Sequence, residues 1–290
     1  MGIALPLLAA AVLVVVLFDR RDVFLDALTA APVWLLLCFV VLQLTALLSR
    51  AEAWRLCVGA AGSTVCRRGV FRASGLGGLA GILNGSVGVA ARIAALRRSA
   101  PDQCPRVGSL VVAEVPIVAV EVALAALTSF TLLGPLGLPW WSAVLCVGGA
   151  GGALAVLHRM AGRRTTGLWS GLAILRALEG RWLVIGLVLV AVFAQIARNW
   201  LALNAIGVDA SLFDAIAVLI AMVTLSQLPL GPSVGAAAVV LILGANGVAL
   251  TAAAGVLLSA TGMAGTLAFG GWAIADRMRR PLPSVSGVPA

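Results

Sequence analysis

The chain has 290 residues, 62% of them hydrophobic and only 11% charged, and its mean hydropathy of +1.11 excludes an ordinary soluble domain. Its twenty basic residues are all arginine, against eleven acidic ones, for a formal net charge of +9. The arginines cluster at the ends of long apolar runs rather than along a polar face, which excludes a nucleic-acid-binding surface and reads as a set of positive-inside topology signals. Five scattered cysteines without a CxxC pair argue against a disulfide framework or a zinc site. No GxSxG, HExxH or paired-aspartate pattern points to an enzyme, and neither metal nor cofactor is expected. Arginine without lysine, with abundant Ala, Gly and Val, suggests a GC-rich bacterial genome.

A bilayer-crossing helix needs about twenty apolar residues. The first run, Ile3–Phe18, lacks a positive n-region and is followed at once by Asp19–Asp22, so it reads as a short first span rather than a cleaved leader. Ala31–Ser49 is the second. Between them, Asp19–Ala30 falls outside, with two arginines offset by three aspartates.

The next apolar region, Ala73–Ala91, carries six glycines between Gly75 and Gly88. It reads either as a GxxxG-type packing helix through Gly77, Gly81 and Gly85, or as a re-entrant element whose Asn84 and Ser86 face a cavity and contact substrate. The flanking segments Arg50–Arg72 and Arg92–Arg106 are both arginine-rich and should both be cytoplasmic. They share a side only if the element enters and returns.

Gly108–Leu133 is the third span. It carries Glu114 and Glu121, seven residues apart and so on one helical face. An acid at the centre of a span costs roughly 2.5–3.5 kcal/mol on insertion scales, so such residues face a cavity or a cation. Each reads either as a coupling or head-group site, or as a structural partner; for Glu114 that partner would be Arg92 or Arg106. The uncharged loop Gly134–Pro139 leads to the fourth span, Pro139–Leu157, and His158 follows as an interface residue. The cytoplasmic loop His158–Arg181 holds five arginines. Within it, Arg163–Leu178 has leucines at helical spacing and suits an amphipathic helix lying on the membrane surface.

Trp182–Ile206 is the fifth span. Late in it, Gln195, Arg198, Asn199 and Asn204 form a polar patch, and Arg198 is placed near the outer face, meeting a lipid phosphate or snorkelling to water. Phe213–Leu250 is interrupted by Pro229 and Pro232, which remove two backbone donors and forbid a continuous helix. Thr224, Ser226 and Gln227 precede the break and can reach freed carbonyls. The break is either a substrate-lining element at membrane depth or a plain turn between two short helices. Thr251–Ala275 is the sixth span, and the tail with Arg277, Arg279 and Arg280 is again cytoplasmic. Trp34, Trp54, Trp140, Trp141, Trp182 and Trp272 lie near span ends, where an aromatic belt belongs.

The expected fold is an all-α polytopic membrane protein. It has six full spans and two broken or re-entrant elements, with both termini cytoplasmic. Residues 1–280 form a single transmembrane domain with halves near 1–133 and 139–275, and 281–290 are a disordered tail. Helix, helix, broken element, helix occurs twice with opposite orientation, the order of an inverted-topology repeat.

Three stretches carry a resemblance. Ser49-Arg-Ala-Glu-Ala-Trp54-Arg55-Leu, Asn84-Gly-Ser-Val-Gly88-Val-Ala-Ala-Arg92 and Leu228-Pro-Leu-Gly-Pro-Ser-Val-Gly235 resemble, in order and spacing, elements of the lysylphosphatidylglycerol synthase transmembrane-region family. Glu114 falls where that family has a Glu-Arg pair. The resemblance implies a flippase-like protein of the plasma membrane that handles lipids or lipid-linked sugars. The substrate residues it brings together with the reading above are Asn84, Ser86, Arg92, Glu114, Glu121, Arg198, Gln227, Pro229 and Pro232. The charged machinery is thinned here: Val115 follows Glu114, Ala90 and Ala91 stand near the place of an acid, and Ala236 opens an alanine run where a glutamate would close the last element. Either Glu121 and Arg198 compensate or the substrate differs. The expected partners are membrane lipids with an anionic or lipid-linked head group, and possible company is a second copy of the chain or a cell-envelope enzyme. The alternative function is a non-transporting membrane partner that positions a glycosyltransferase or cell-envelope enzyme.

Overall fold

The computed structural model describes residues 32–82, 84–163, 167–175, 178–226, 234–244 and 248–279. Among them the chain is helical and has no strand. The first expected span, Ile3–Phe18, the tail, and the break with Gln227, Pro229 and Pro232 lie outside the described residues. Five helical segments are long and apolar enough to cross a membrane, and they coincide with the other five expected spans. Their outward faces are apolar too: Trp34, Leu37 and Val41 on one helix and Phe193 on another are at least 60% exposed. Continuous exposed apolar surface of this kind belongs against lipid, so the chain is a membrane protein.

The framework is an antiparallel pair, α1 (Val33–Ala60) and α7 (Leu178–Ala205). At one end, Leu35 and Phe39 of α1 share a core with Ala202 and Leu203 of α7 and with Ile206 just beyond it. At the other, Trp54 and Val58 meet Val184 and Val188. Between these cores the pair touches through Ala46, Ala191 and Ala194, small enough for close approach. Both helices stop in the same way. Gly62 and Gly207 have φ of +98° and +84°, and Ser63 and Val208 donate to Val58 and Leu203 across the turn at 3.1 Å, the glycine-ended cap that satisfies terminal carbonyls.

After α1 come α2 (Arg67–Gly81) and α3 (Gly85–Ser99). They form a tight antiparallel hairpin. Glycine makes it tight: a Cβ on Gly88 would stand 2.8 Å from the Gly81 Cα, and one on Gly77 2.6 Å from the Arg92 Cβ. Asn84 caps α3, its Oδ1 accepting from the Ser86 N–H at 2.9 Å. Across the open end, the Thr64 N–H and the Ser63 hydroxyl both donate to the Gln103 carbonyl, at 3.1 and 3.2 Å. The hairpin therefore returns to the level at which it began. Of the expected packing glycines, Gly77 and Gly81 face α3 across the hairpin, while Gly85 has no neighbour within 4 Å.

The third span is not one straight helix. α4 (Val107–Val112) and α5 (Val115–Leu127) are offset at Ala113–Glu114. Pro116, in the first turn of α5, has no N–H with which to continue the ladder. The chain then passes through short turns at Ser129–Leu136 to α6 (Trp141–Arg163). The surface amphipathic helix expected over Arg163–Leu178 is instead a 3-10 segment, Gly167–Leu175, whose Leu172 and Ile174 are buried in the core. Leu172 and Ile174 find protein to bury against, so they do not rest on lipid.

Beyond α7, a Ser211–Asp214 capping box starts α8 (Leu212–Leu225). α9 (Val234–Leu243) and α10 (Val248–Arg279) follow. The hydroxyls of Thr224 and Ser226 bond to Ile220 and Val223 within their own helix, not across the break. The hairpin packs on the Trp54 end of the central pair and α8–α9 on the Phe39 end.

Two measurements test this fold. Gly88→Ala puts a methyl against backbone that cannot yield and should destabilise the protein by about 1–3 kcal/mol in mixed-micelle unfolding, as overpacking does. Gly85→Ala, with nothing within 4 Å, should be neutral or stabilising. In a background otherwise free of cysteine, Cys66 alone and Asp102→Cys alone should react with an impermeant maleimide from the same side of the membrane. Labelling from opposite sides would disprove the returning hairpin.

Candidate functional site

Four charged side chains and one aromatic ring gather where the hairpin meets α1, α4 and α5. Arg50 of α1 pairs with Glu121 of α5 at 2.9 Å, with side chains 41% and 22% exposed. Arg92 of α3 pairs with Glu114 at the α4–α5 offset, with side chains only 16% and 12% exposed. The Arg92 guanidinium also lies 4.3 Å from the centroid of Trp54, which is fully buried. The two pairs are close enough to act on one another. Each element has a local reason to deliver its group. Gly77 admits the backbone at Arg92, the Pro116 offset turns Glu114 inward, and α1 runs on past bilayer length to bring Arg50 and Trp54 alongside.

Arg92, Glu114 and Glu121 thus lie in one cluster, and Glu114 has Arg92 as its partner, the pairing expected of it as a structural residue. Arg50 and Trp54 complete the group. Sequence reasoning assigned Arg50 to a loop and Trp54 to an aromatic belt. Trp54 is the correction to the belt: Trp34, Trp140, Trp141, Trp182 and Trp272 are exposed, but Trp54 has no exposed surface. The Trp54 Nε1–H has no hydrogen-bond partner among the described residues. Asn84 and Ser86 close on one another at the hairpin tip, Ser86 donating its N–H and hydroxyl to the same Asn84 oxygen.

Arg198 is the second correction. It does not snorkel; it is 5% exposed near the waist of the central pair and donates to the Gln43 side-chain oxygen of α1. Gly262 and Gly265 of α10 make the room. A Cβ on Gly262 would meet the Arg198 Nη1 at 3.2 Å, and one on Gly265 the Gln43 Cγ at 2.6 Å. No carboxylate pairs with Arg198 among the described residues, and its Nε and both amide atoms of Asn199 lack partners there. Elsewhere, Arg68 and Arg72 of α2 both bind Asp276 of α10, and Glu52 holds Arg55 and Arg67 at 2.9 and 3.1 Å. Chemically the cluster can hold opposite charges in mutual compensation inside an apolar bundle, and it can exchange a partner for a charged group from outside.

Removing one member of a covered ion pair strands the other. Glu114→Gln should cost about 3–5 kcal/mol in mixed-micelle unfolding. The double variant Glu114→Gln/Arg92→Gln should recover much of that loss, because no lone charge remains. Additive losses would show that the two side chains do not interact.

No protein-family model matches the chain, and no curated protein and no solved structure matches it, so the likeness to the lysylphosphatidylglycerol synthase transmembrane-region family stands on the quoted residues alone.

Proposed function

We propose that the chain is a flippase-like transporter of a lipid or lipid-linked substrate in the bacterial plasma membrane. The observation that carries this reading is the Arg50–Glu121 and Arg92–Glu114 cluster beside a returning hairpin. Ionisable groups inside a membrane bundle are costly, and they mark substrate or ion paths when kept. At rest the cluster is neutral as a set, which avoids an uncompensated charge. An anionic head group can take the place of Glu121 on Arg50, the most exposed member, while the acyl chains stay in lipid.

The architecture supports the same reading. The α2–α3 hairpin and the α8–α9 helices sit at opposite ends of an antiparallel central pair whose two helices end in the same glycine turn. An inverted-topology repeat has this layout, with substrate handled between its halves. With both termini cytoplasmic, the open end of the hairpin faces the cytoplasm, and its arginines attract anionic lipid there.

The test is translocation of NBD-phosphatidylglycerol in phosphatidylcholine liposomes, read by dithionite quenching and normalised to folded protein. Wild type should flip the probe faster than empty vesicles. Glu121→Gln should slow it by about tenfold or more, the factor that ~1.4 kcal/mol of lost transition-state interaction represents. Full activity in a folded Glu121→Gln variant would remove the cluster from the transport path. A wild type no faster than empty vesicles would favour the role of positioning a cell-envelope enzyme.

A further inference from the structure

The waist of the molecule carries a charge that the described residues do not balance. Arg198 of α7 is buried beside Gln43 of α1 and Gly262 of α10. A guanidinium has five N–H donors. Nη1 of Arg198 donates to the neutral Gln43 oxygen, and the buried Nε–H meets no acceptor among the described residues. The next residue, Asn199, has no exposed surface, and its amide nitrogen and oxygen both lack a partner there. Consecutive helical residues stand about 100° apart, so one buried sector of α7 presents cationic and amide donors together. Glycine leaves room beside them. A Cβ on Gly262 would have the Arg198 guanidinium, and no other described side chain, within 4 Å.

The acids of the chain are placed elsewhere. Glu52, Glu114, Glu121 and Asp276 pair with other arginines, and Asp214 closes the capping box of α8. Asp102 and Asp209 are exposed. Glu179 lies at the start of α7, nineteen residues or ~28 Å before Arg198. Asp19, Asp22 and Asp26 precede α1, and Gln43 lies ten residues or ~15 Å into that helix from Val33. Buried charges in proteins are paired, because an uncompensated one is costly to keep. A partner that the chain does not supply has to come from outside it.

We propose that Arg198 and Asn199 hold a small, singly charged inorganic anion, of the size of chloride, at the waist. One negative charge balances one guanidinium, and the Arg198 Nε–H and an Asn199 amide N–H supply donors that have no other use. Burial between α1 and α10 suits a compact ion rather than a phosphodiester bearing two acyl chains. Water would satisfy the donors but leave the charge. The ion is a structural part of the waist, independent of what passes the charge cluster.

Thermal unfolding of the full chain in phosphatidylcholine mixed micelles tests this, with sodium chloride exchanged for sodium gluconate at constant ionic strength. Gluconate carries the same charge on a much bulkier ion. Wild-type Tm should rise by about 3–6 °C for each tenfold increase in chloride above the Kd, as a ligand of the folded state requires. Bromide should replace chloride. Arg198→Gln should show no difference between the two salts. In gluconate it should be at least as stable as wild type, because the uncompensated charge has gone. Should Arg198→Gln fail to fold, Asn199→Ala decides: losing one hydrogen bond to the ion should raise the chloride needed for a given Tm by about tenfold. A wild-type Tm unmoved by the exchange overturns the proposal and leaves the site to water. An undiminished chloride response in Arg198→Gln, or in Asn199→Ala where that variant decides, overturns it too. Stabilisation by added phosphatidylglycerol in gluconate, with none from chloride, would assign the partner to a lipid phosphate and also overturn it.

Discussion

The structure depends on the close antiparallel contact of α1 and α7. In lipid the hydrophobic effect does not drive helices together, so packing area and internal hydrogen bonds must. Ala46, Ala191 and Ala194 let the two backbones approach at the waist, and each end then offers a concave site for further helices. The Phe39 end collects α8, α9 and the start of α10, and the Trp54 end collects α2 to α5. At the waist α10 joins them, its Gly262 and Gly265 shaped around Arg198 and Gln43. A larger residue at either glycine would collide with a hydrogen-bonded polar pair that has no other place to go.

Charge is distributed by the same logic. The arginines of the stretch Arg50–Arg72 are not simply free cations at a membrane surface. Arg50, Arg55, Arg67, Arg68 and Arg72 reach Glu121, Glu52 and Asp276. The positive-inside rule counts arginines and largely ignores acids, so pairing does not cancel their value as a topology signal. One residue can therefore orient a loop during insertion and clamp two helices afterwards. Arg198 differs in kind. A neutral amide is its acceptor, so its charge stays uncompensated among the described residues, inside the bundle where a buried ion is costly.

Most of the spans were legible because apolar length is a direct physical requirement of the bilayer. The returning hairpin was legible from charge, since two arginine clusters around one apolar region are easiest to place on one side. The contacts were not. Arg72 and Asp276 stand 204 residues apart, and no local pattern pairs them. Trp54 was misplaced because the belt argument counts from the end of a bilayer-length run, whereas α1 continues as a helix to Ala60. Arg198 was misplaced because snorkelling presumes a lipid-facing side chain, and the face of α7 that carries it is covered by α1 and α10. The α4–α5 offset did have a signal in Pro116, which a hydropathy count passes over because proline in an apolar run changes its average so little.

The glycines of α2 limit how the molecule can move. Gly77 and Gly81 face α3, while Gly75 and Gly78 face α10, where a Cβ would meet Ala273 at 2.8 Å and Thr266 at 3.3 Å. The same helix is held to α10 by Arg68 and Arg72 on Asp276, and by the edge contact of Phe71 with Phe269 at 6.5 Å. A helix fitted on two faces at backbone distance cannot slide past either neighbour without a clash, and packed interfaces shift between discrete arrangements rather than deform smoothly. The hairpin therefore moves together with α10 or not at all. The opposite flank has the reverse character: α6 is lined on its inner side by a crevice and fixed by no ion pair among the described residues. Rearrangement that opens the Arg50–Glu121 pair meets least resistance on the α5–α6 side, because α5 carries Glu121 and has the loosely packed helix as its neighbour.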